Sequence, residues 1–528
     1  MTHPSYRGRA GLALAVLCLL AAAVAVLLGY SFAPGGMNPD AVHQLRQVLG
    51  DEPVGDWHPP VLVVVWKVLM LLSGEISALM WAQIGLWAAC AIALGIYLYD
   101  LTARIPVMFL GLGVLLLPHV VALVGDVWKD TSMMLSFLTA AVAVLLATRF
   151  PRLRLALLIL AFAALVYGTM VRKNAVFATL PMLLWMIHVW RPRILRGAGL
   201  GRRLGALAVV AAVFGGTIAV ADAAISARYD VRHDSQITQV MLDDLVFTVP
   251  AAQIEQHVDN PVIREHLLNA QRVCAEKDVI WDAYWACYGK GEFGSYTSIE
   301  DSEEIPGYWT QLVLTRPDRY LEYRLTTYSE FLFRNDLFFL SDFHRNQYGL
   351  DYHSPQLQRM LGNYVLHFGQ AQLPWLFACW FWLLVSVLGL ALWRTWRRWG
   401  IASPVTALAG SSLIYLLGYF PVVPAANYRY YYWPAVAGTL ILLLIGIAAV
   451  RVRVQRRHVR AVGPAGAADA ESAADRQSAA DRQSAADTQS AGSTQQPSSA
   501  RHSGAAARRE SAAQSTPAPQ PLRRHRDR

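Results

Sequence analysis

Charge is what this sequence has least of. Only 16% of its 528 residues are Asp, Glu, Lys or Arg, against roughly 25% in a soluble domain. The deficit excludes an ordinary water-soluble globule. Cysteine is also scarce: there are five, with no Cys-x-x-Cys pair and no Cys/His spacing of the kind that binds metal. Cys18, Cys90 and Cys379 lie in apolar runs and read as small buried hydrophobes.

What is abundant is apolar sequence. Hydrophobic residues make up 55% of the chain, mean hydropathy is +0.32, and Ala/Leu/Val/Trp runs of roughly 17 to 24 residues recur, the length a helix needs to cross a bilayer. The net charge of +9 could suggest a nucleic-acid partner, but the arginines sit in short clusters beside the apolar runs and in the C-terminal tail. That placement is the positive-inside pattern of a membrane protein. The predicted fold class is therefore an all-α membrane protein with about ten transmembrane helices, near 11–28, 76–98, 105–123, 131–148, 153–170, 174–190, 204–223, 370–393, 402–420 and 432–450.

Arg7 and Arg9 precede the first run, and Tyr30-Ser31-Phe32-Ala33-Pro34 after it is a poor cleavage site, so the first helix reads as uncleaved with its N-terminus in the cytoplasm. Counting alternately, the cytoplasmic connections collect Arg104, the clusters at 149–154, 191–203 and 394–398, and the arginines after 450. Both termini are then cytoplasmic. The run Pro60 to Leu72 is too short to span, and letting it span would turn every later cluster outward. It reads as a re-entrant or juxtamembrane helix on the outer side, with Trp66 and Lys67 at a membrane surface.

The domain reading follows. Residues 1–223 form an N-terminal transmembrane module, 224–368 a mostly helical extracytoplasmic domain, 369–452 the C-terminal transmembrane helices, and 453–528 a disordered cytoplasmic tail carrying Ser-Ala-Ala-Asp-Arg-Gln repeats. Asn260 to Cys274 and Tyr320 to Phe333 read as helical, and Cys274 and Cys287, placed in an oxidising compartment, as a disulfide.

Some charges serve no topological purpose. They fall in four outer stretches: Asn38-Pro39-Asp40 and Asp56-Trp57-His58-Pro59-Pro60 in the first loop; Gly125-Asp126-Val127-Trp128-Lys129-Asp130; Val171-Arg172-Lys173-Asn174; and Ala426-Asn427-Tyr428-Arg429-Tyr430-Tyr431. Ionisable groups at a membrane boundary are costly unless solvated or paired, and cations on the outer side oppose the positive-inside bias. A carboxylate among several cations suits an anionic, lipid-linked substrate, with the acid handling an acceptor proton and Arg or Lys holding phosphate. The aromatic set Tyr428, Tyr430, Tyr431, Tyr432 and Trp433 reads first as an interfacial belt and second as a stacking surface for sugar or isoprenoid.

The order of these motifs over residues 11–450 resembles the GT-C superfamily of integral-membrane glycosyltransferases, including bacterial mannosyl- and arabinosyltransferase-like members, which use polyprenyl-phosphate sugars as donors. The first-loop acid matches Asp40, the His-Pro-Pro element His58-Pro59-Pro60, and the second acid Asp130 or Asp126. Arg172-Lys173-Asn174 and Asn427-Tyr428-Arg429-Tyr430 match the later elements. The resemblance implies a transferase at the outer face of a bacterial plasma membrane, moving sugar to a lipid or glycan acceptor by direct displacement. Asp40 would be the base, with Asp130 or Asp126 beside it; His58, Lys129, Arg172, Lys173, Asn174, Tyr428 and Arg429 would hold substrate and phosphate. Asp40 has no acidic neighbour where the family usually has one, so no metal or other cofactor is expected. The competing reading is a transporter or flippase for a lipid-linked or anionic solute, which should show paired halves and helices broken at mid-membrane; a non-catalytic polymer-assembly scaffold is a third.

Overall fold

In the computed structural model the described residues are 4–190, 199–233, 236–280, 283–289, 303–337, 339 and 346–455. The tail beyond 455 and the arginines at 191, 193 and 196 lie outside them. Pro4–Phe32 (α1) leads into two short helices, Pro39–Leu49 (α2) and Pro60–Ser73 (α3), and then Ala78–Thr102 (α4). Three fragments follow, Ile105–Met108 (α5), Leu110–Leu115 (α6) and Pro118–Val121 (α7). Lys129–Arg149 (α8), Arg154–Val171 (α9), Ala175–Trp190 (α10) and Leu200–Tyr229 (α11) complete the first half. The polar segment expected outside the membrane opens with Ile237–Thr248 (α12), Ala251–His257 (α13) and Pro261–Glu276 (α14), and continues through Ile305–Leu312 and Pro317–Phe333; it is called the outer segment after that expectation. The last apolar helices are Cys379–Ala391, Ala402–Gly418 and Tyr428–Gln455. Among the described residues β pairing is confined to two isolated bridges.

Six helices are long and apolar enough to cross a membrane: Gly8–Phe32, Ala78–Thr102, Lys129–Arg149, Arg154–Val171, Leu204–Tyr229 and Tyr428–Gln455. The protein is a multi-pass, all-α membrane protein. The remaining expected spans fall on shorter apolar helices. Hydrophobic side chains stand exposed along α1, α9 and α11, among them Leu19, Ile159 and Val220, a distribution that suits contact with lipid rather than water.

At the centre is α8, buried along almost its whole length. Lipid tails offer helices no hydrophobic reason to associate, so close backbone approach and polar contacts hold them. A Cβ on Gly111 would come within 2.4 Å of the Gly95 nitrogen, which fixes how tightly the fragments pack on α4. Gln83 donates to Ser132 Oγ (2.9 Å) between α4 and α8, and Ser411 donates to the Ala178 carbonyl (2.7 Å).

One expected span departs from the sequence reading. The run 105–123 is not one helix but the fragments α5 to α7, because Pro118 cannot continue the preceding turn and leaves Leu117 extended. A broken helix frees backbone carbonyls, which are costly in a bilayer unless satisfied by protein. The last helix supplies the partners. Tyr428 Oη donates to the His119 carbonyl (2.7 Å), and Tyr432 Oη donates to that of Val120. Tyr431 Oη reaches the Phe377 carbonyl (2.7 Å), and Trp433 Nε1 donates to Ser411 Oγ (3.0 Å). All five aromatics from Tyr428 to Trp433 are buried in protein. They are neither the interfacial belt nor the open stacking surface expected of them; four of them pack and satisfy the core.

The outer segment has its own apolar cluster, built by α12, α14 and Ile305–Leu312. Cys274 and Cys287 are joined in a disulfide with Cα atoms 5.1 Å apart. Buried Arg324, on Pro317–Phe333, pairs with Asp244 of α12 at 2.7 Å. The same nitrogen, Nη2, also faces the Val240 carbonyl, and Nη1 faces that of Val423, each at 3.4 Å.

Candidate active site

The site begins with how Asp40 is held. Asn38 caps α2 by accepting from the Ala41 amide (2.9 Å), Pro39 occupies the first helical position, and Asp40 therefore falls in the first turn, where the helix dipole favours a negative charge. The preceding loop is tied to the second outer loop through the Gly36–Asp126 bridge: the Gly36 amide donates to the Gly125 carbonyl (3.1 Å), and the Val127 amide to the Gly36 carbonyl (3.0 Å). Gly35 sits at φ +124°, and a Cβ there would meet Val127 Cγ2 at 2.5 Å, so this junction needs glycine. Two sequence-distant loops are thereby fixed edge to edge, Asp40 leading one helix and Lys129-Asp130 the other.

Two ion pairs stand side by side. Arg429 Nη1 lies 3.1 Å from Asp40 Oδ2, and Arg172 Nε lies 3.0 Å from Asp130 Oδ1. Tyr430 joins them. Its ring is flanked by both guanidinium groups, each 4.9 Å from its centre, and its hydroxyl accepts from Arg429 Nη2 (2.9 Å). Tyr419 Oη accepts from Arg172 Nη2 (2.9 Å) and Nε (3.2 Å), and Arg429 also stacks over Trp128, 5.4 Å from its centre. Asp40, Asp130, Arg172 and Arg429, spread over 389 positions of sequence between the first and last, thus share one cluster.

Lys129 differs from its neighbours. Among the described residues it has no carboxylate within ion-pair distance, and it sits at the first position of α8, whose cap residue Trp128 offers no side-chain acceptor to the free amides. A lysine at a helix amino terminus adds its charge to the positive end of the dipole, a pole suited to an anion.

Burial alone would raise the Asp40 carboxyl, but the charges of Arg429 first and of Lys129 outweigh it and hold the acid below the usual carboxylate range. Asp40 is therefore ionised at neutral pH. Burial first and Lys129 second push His58 well below the usual histidine range, leaving it neutral. Among the described residues its Nδ1 has no hydrogen-bond partner, nor have Trp128 Nε1 and Arg429 Nε. Asp126 stands apart: it is buried, both its oxygens lack partners among the described residues, and burial raises its carboxyl well above the usual range.

A cavity of about 370 Å³ opens beside the cluster. Lys129, Arg172, Lys173 and Tyr419 line one part of it; Val171, Val231, Val240 and Val422 give it apolar wall. Lys173 is exposed and lies 3.9 Å from Asp56. Asn174 also lines the cavity. The loop 54–58 is set by the second bridge, in which the Asp56 amide donates to the Arg232 carbonyl (2.9 Å). Tyr428, expected to touch substrate, instead uses its hydroxyl on His119 and its amide on the Asp336 carbonyl (2.8 Å), inside the core. The aromatics that do meet the charged groups are Tyr419 and Tyr430. Sequence reasoning missed Tyr419, which ends an apolar run like any interfacial tyrosine, and put Tyr430 in the belt. Among the described residues no group of three His, Cys, Asp or Glu could hold a metal ion.

No family model matches the chain, and a search of curated proteins found no match. Among solved structures, it is similar to the crystal structure of ArnT from Cupriavidus metallidurans bound to undecaprenyl phosphate. The two are 14% identical, the comparison covers 77% of each chain, and the TM-score is 0.29. Likeness at that level decides nothing about chemistry, which rests on the residues.

Proposed function

We propose that this protein is a membrane glycosyltransferase of GT-C type. It takes a sugar from a polyprenyl-phosphate donor and passes it to a lipid or glycan acceptor at the outer face of a bacterial plasma membrane. The observation that carries this reading is Lys129: a cation with no carboxylate in ion-pair distance among the described residues, at a helix amino terminus, beside Arg172 and lining a cavity whose walls combine polar side chains with the apolar Val171, Val231, Val240 and Val422. Phosphate on an isoprenoid chain has that pairing of charge and grease.

In the reaction, the acceptor oxygen forms a bond to the anomeric carbon as the bond from that carbon to the phosphate oxygen breaks. The electron pair leaves on polyprenyl phosphate, and the acceptor proton goes to Asp40. Lys129, Arg172 and Lys173 offset the charge that develops on the leaving group. Asp40 paired with Arg429 is a weak base.

The test is Asp40→Asn in purified, lipid-reconstituted protein. Transfer should fall about 10²- to 10⁴-fold, the usual range for a general base, while elution and thermal stability hold. Lys129→Met should instead weaken binding of undecaprenyl phosphate about 10- to 100-fold, of the order of one charge-assisted contact. Transfer that survives in the Asp40→Asn variant would remove the assignment of the base.

A further inference from the structure

The cavity carries a second kind of chemistry. Beside its cations and the carboxylates Asp56 and Asp222 it is lined by Asn174, by Gln236 and Gln239, and by Trp57. The three amides are partly buried, and among the described residues none of their side chains makes a hydrogen bond. Gln236 precedes α12 yet does not cap it. His233, nearby on the wall, is already turned to Asp56 (3.3 Å). The amides come from separate elements, the start of α10 and the start of α12, and converge on one space.

Each amide offers two donors and an acceptor with two lone pairs, so a set of them suits hydroxyl groups, which donate and accept at once. Trp57 adds an apolar ring face and one N–H donor. A volume near 370 Å³ falls within the range of small-molecule sites. The cavity thus presents cations together with neutral amides and an aromatic ring. A sugar phosphate calls for both kinds of partner.

We propose that Asn174, Gln236, Gln239 and Trp57 form the subsite that recognises the hydroxyls of the donor sugar, so that α12 of the outer segment sets which sugar is transferred. This rests on the donor reading above, with the phosphate at Lys129 and Arg172 and the sugar directed away from them. The outer segment is then part of the site rather than a separate binding module, and Arg324, by tying α12 to Val423, keeps its two glutamines on the cavity wall.

The experiment measures binding to the full chain in lipid nanodiscs. The probes are undecaprenyl phosphate, undecaprenyl phosphoryl-mannose and undecaprenyl phosphoryl-arabinose. Wild type should hold at least one sugar-bearing lipid more tightly than the bare phosphate. Gln239→Leu and, on the other element, Asn174→Leu should each reduce that difference by about three- to tenfold, the scale of one neutral hydrogen bond, and Gln239→Leu should leave affinity for undecaprenyl phosphate unchanged. Gln236→Leu with Gln239→Leu should abolish the preference between mannose and arabinose. Three results overturn the proposal. If the wild type binds all three lipids equally, or if the preference survives in both leucine variants, the sugar subsite is wrong and the phosphate site stands. If the wild type binds none of them, the donor reading falls as well.

Discussion

Two buried ion pairs in this protein have nearly the same chemistry and opposite circumstances. Arg324–Asp244 has side chains 0% and 2% exposed. Arg172–Asp130 has side chains 10% and 1% exposed. Around the first, Trp309 Nε1 donates to Asp244 (2.8 Å) and the Val240 and Val423 carbonyls face the guanidinium, so that, although outside the ion pair Arg324 Nε and Asp244 Oδ1 have no hydrogen-bond partner among the described residues, one cation meets one anion and neither residue lines the cavity. Around the second, Tyr419 and Tyr430 accept from or stack on arginine, but Lys129 has no carboxylate in ion-pair distance among the described residues and a cavity lies alongside. Burial and pairing alone therefore do not mark a site. What marks it is a surplus of one charge beside open space.

The largest test of that contrast is on the closed pair. Arg324→Met leaves Asp244 buried without its cation, and breaking such a pair costs about 3–5 kcal/mol. Thermal unfolding in detergent should show it, and adding Asp244→Leu should recover most of the loss, since a well-packed apolar pair often replaces a buried ion pair at little cost. Arg172→Met should destabilise less, because Asp130 keeps the helix amino terminus and the neighbouring Lys129. A variant series with the order reversed would mean that the site pair is the structural one.

A smaller effect is expected at His58. In the folded protein its burial, with Lys129 nearby, keeps it neutral, while in the unfolded chain it takes up a proton near pH 6.5. Below that pH the unfolded state binds more protons than the folded state. Stability from this residue is complete above the unfolded value and is lost as pH falls from about 6.5 toward the lower folded value, with a slope of at most about 1.4 kcal/mol per pH unit. Melting temperature followed from pH 7 to pH 5 should fall, and His58→Gln should flatten that part of the curve. A curve unchanged by the substitution would show that the histidine is not held neutral.

Much of this was legible in sequence, and the reason is physical. A charge that opposes the positive-inside bias is conspicuous, so Arg172, Lys173 and Arg429 stood out, as did Asp40 in an Asn-Pro-Asp helix start. The helices Pro261–Glu276 and Pro317–Phe333 matched the stretches read as helical. Tyr419, Gln236 and Gln239 gave no such signal: a tyrosine at the end of an apolar run and two glutamines in a polar segment are commonplace until the fold brings them to one wall. Asp130 was matched first and Asp126 kept as its alternative four residues away, and the structure separates the buried acid raised well above the usual range from the one paired with arginine.

The row Tyr428 to Trp433 was misread for a related cause. Apolar character, read along a sequence, does not show whether an aromatic faces lipid or protein, and it hides the break at Pro118 that gives these hydroxyls work to do. If they seal the carbonyls of the broken span, Tyr428→Phe should cost about 0.6–1 kcal/mol, the scale of one interhelical hydrogen bond in a membrane protein, and Tyr432→Phe a similar amount. The two act on adjacent carbonyls, His119 and Val120, so the double variant should lose more than the sum, because the fragment then keeps only the side-chain hydrogen bond of His119 to Thr439 (2.8 Å) on the last helix. Unfolding curves of the two single variants and the double variant measure this directly. Strict additivity would show that water or another group already satisfies the break, and would return the fragments α5 to α7 to the list of elements free to move.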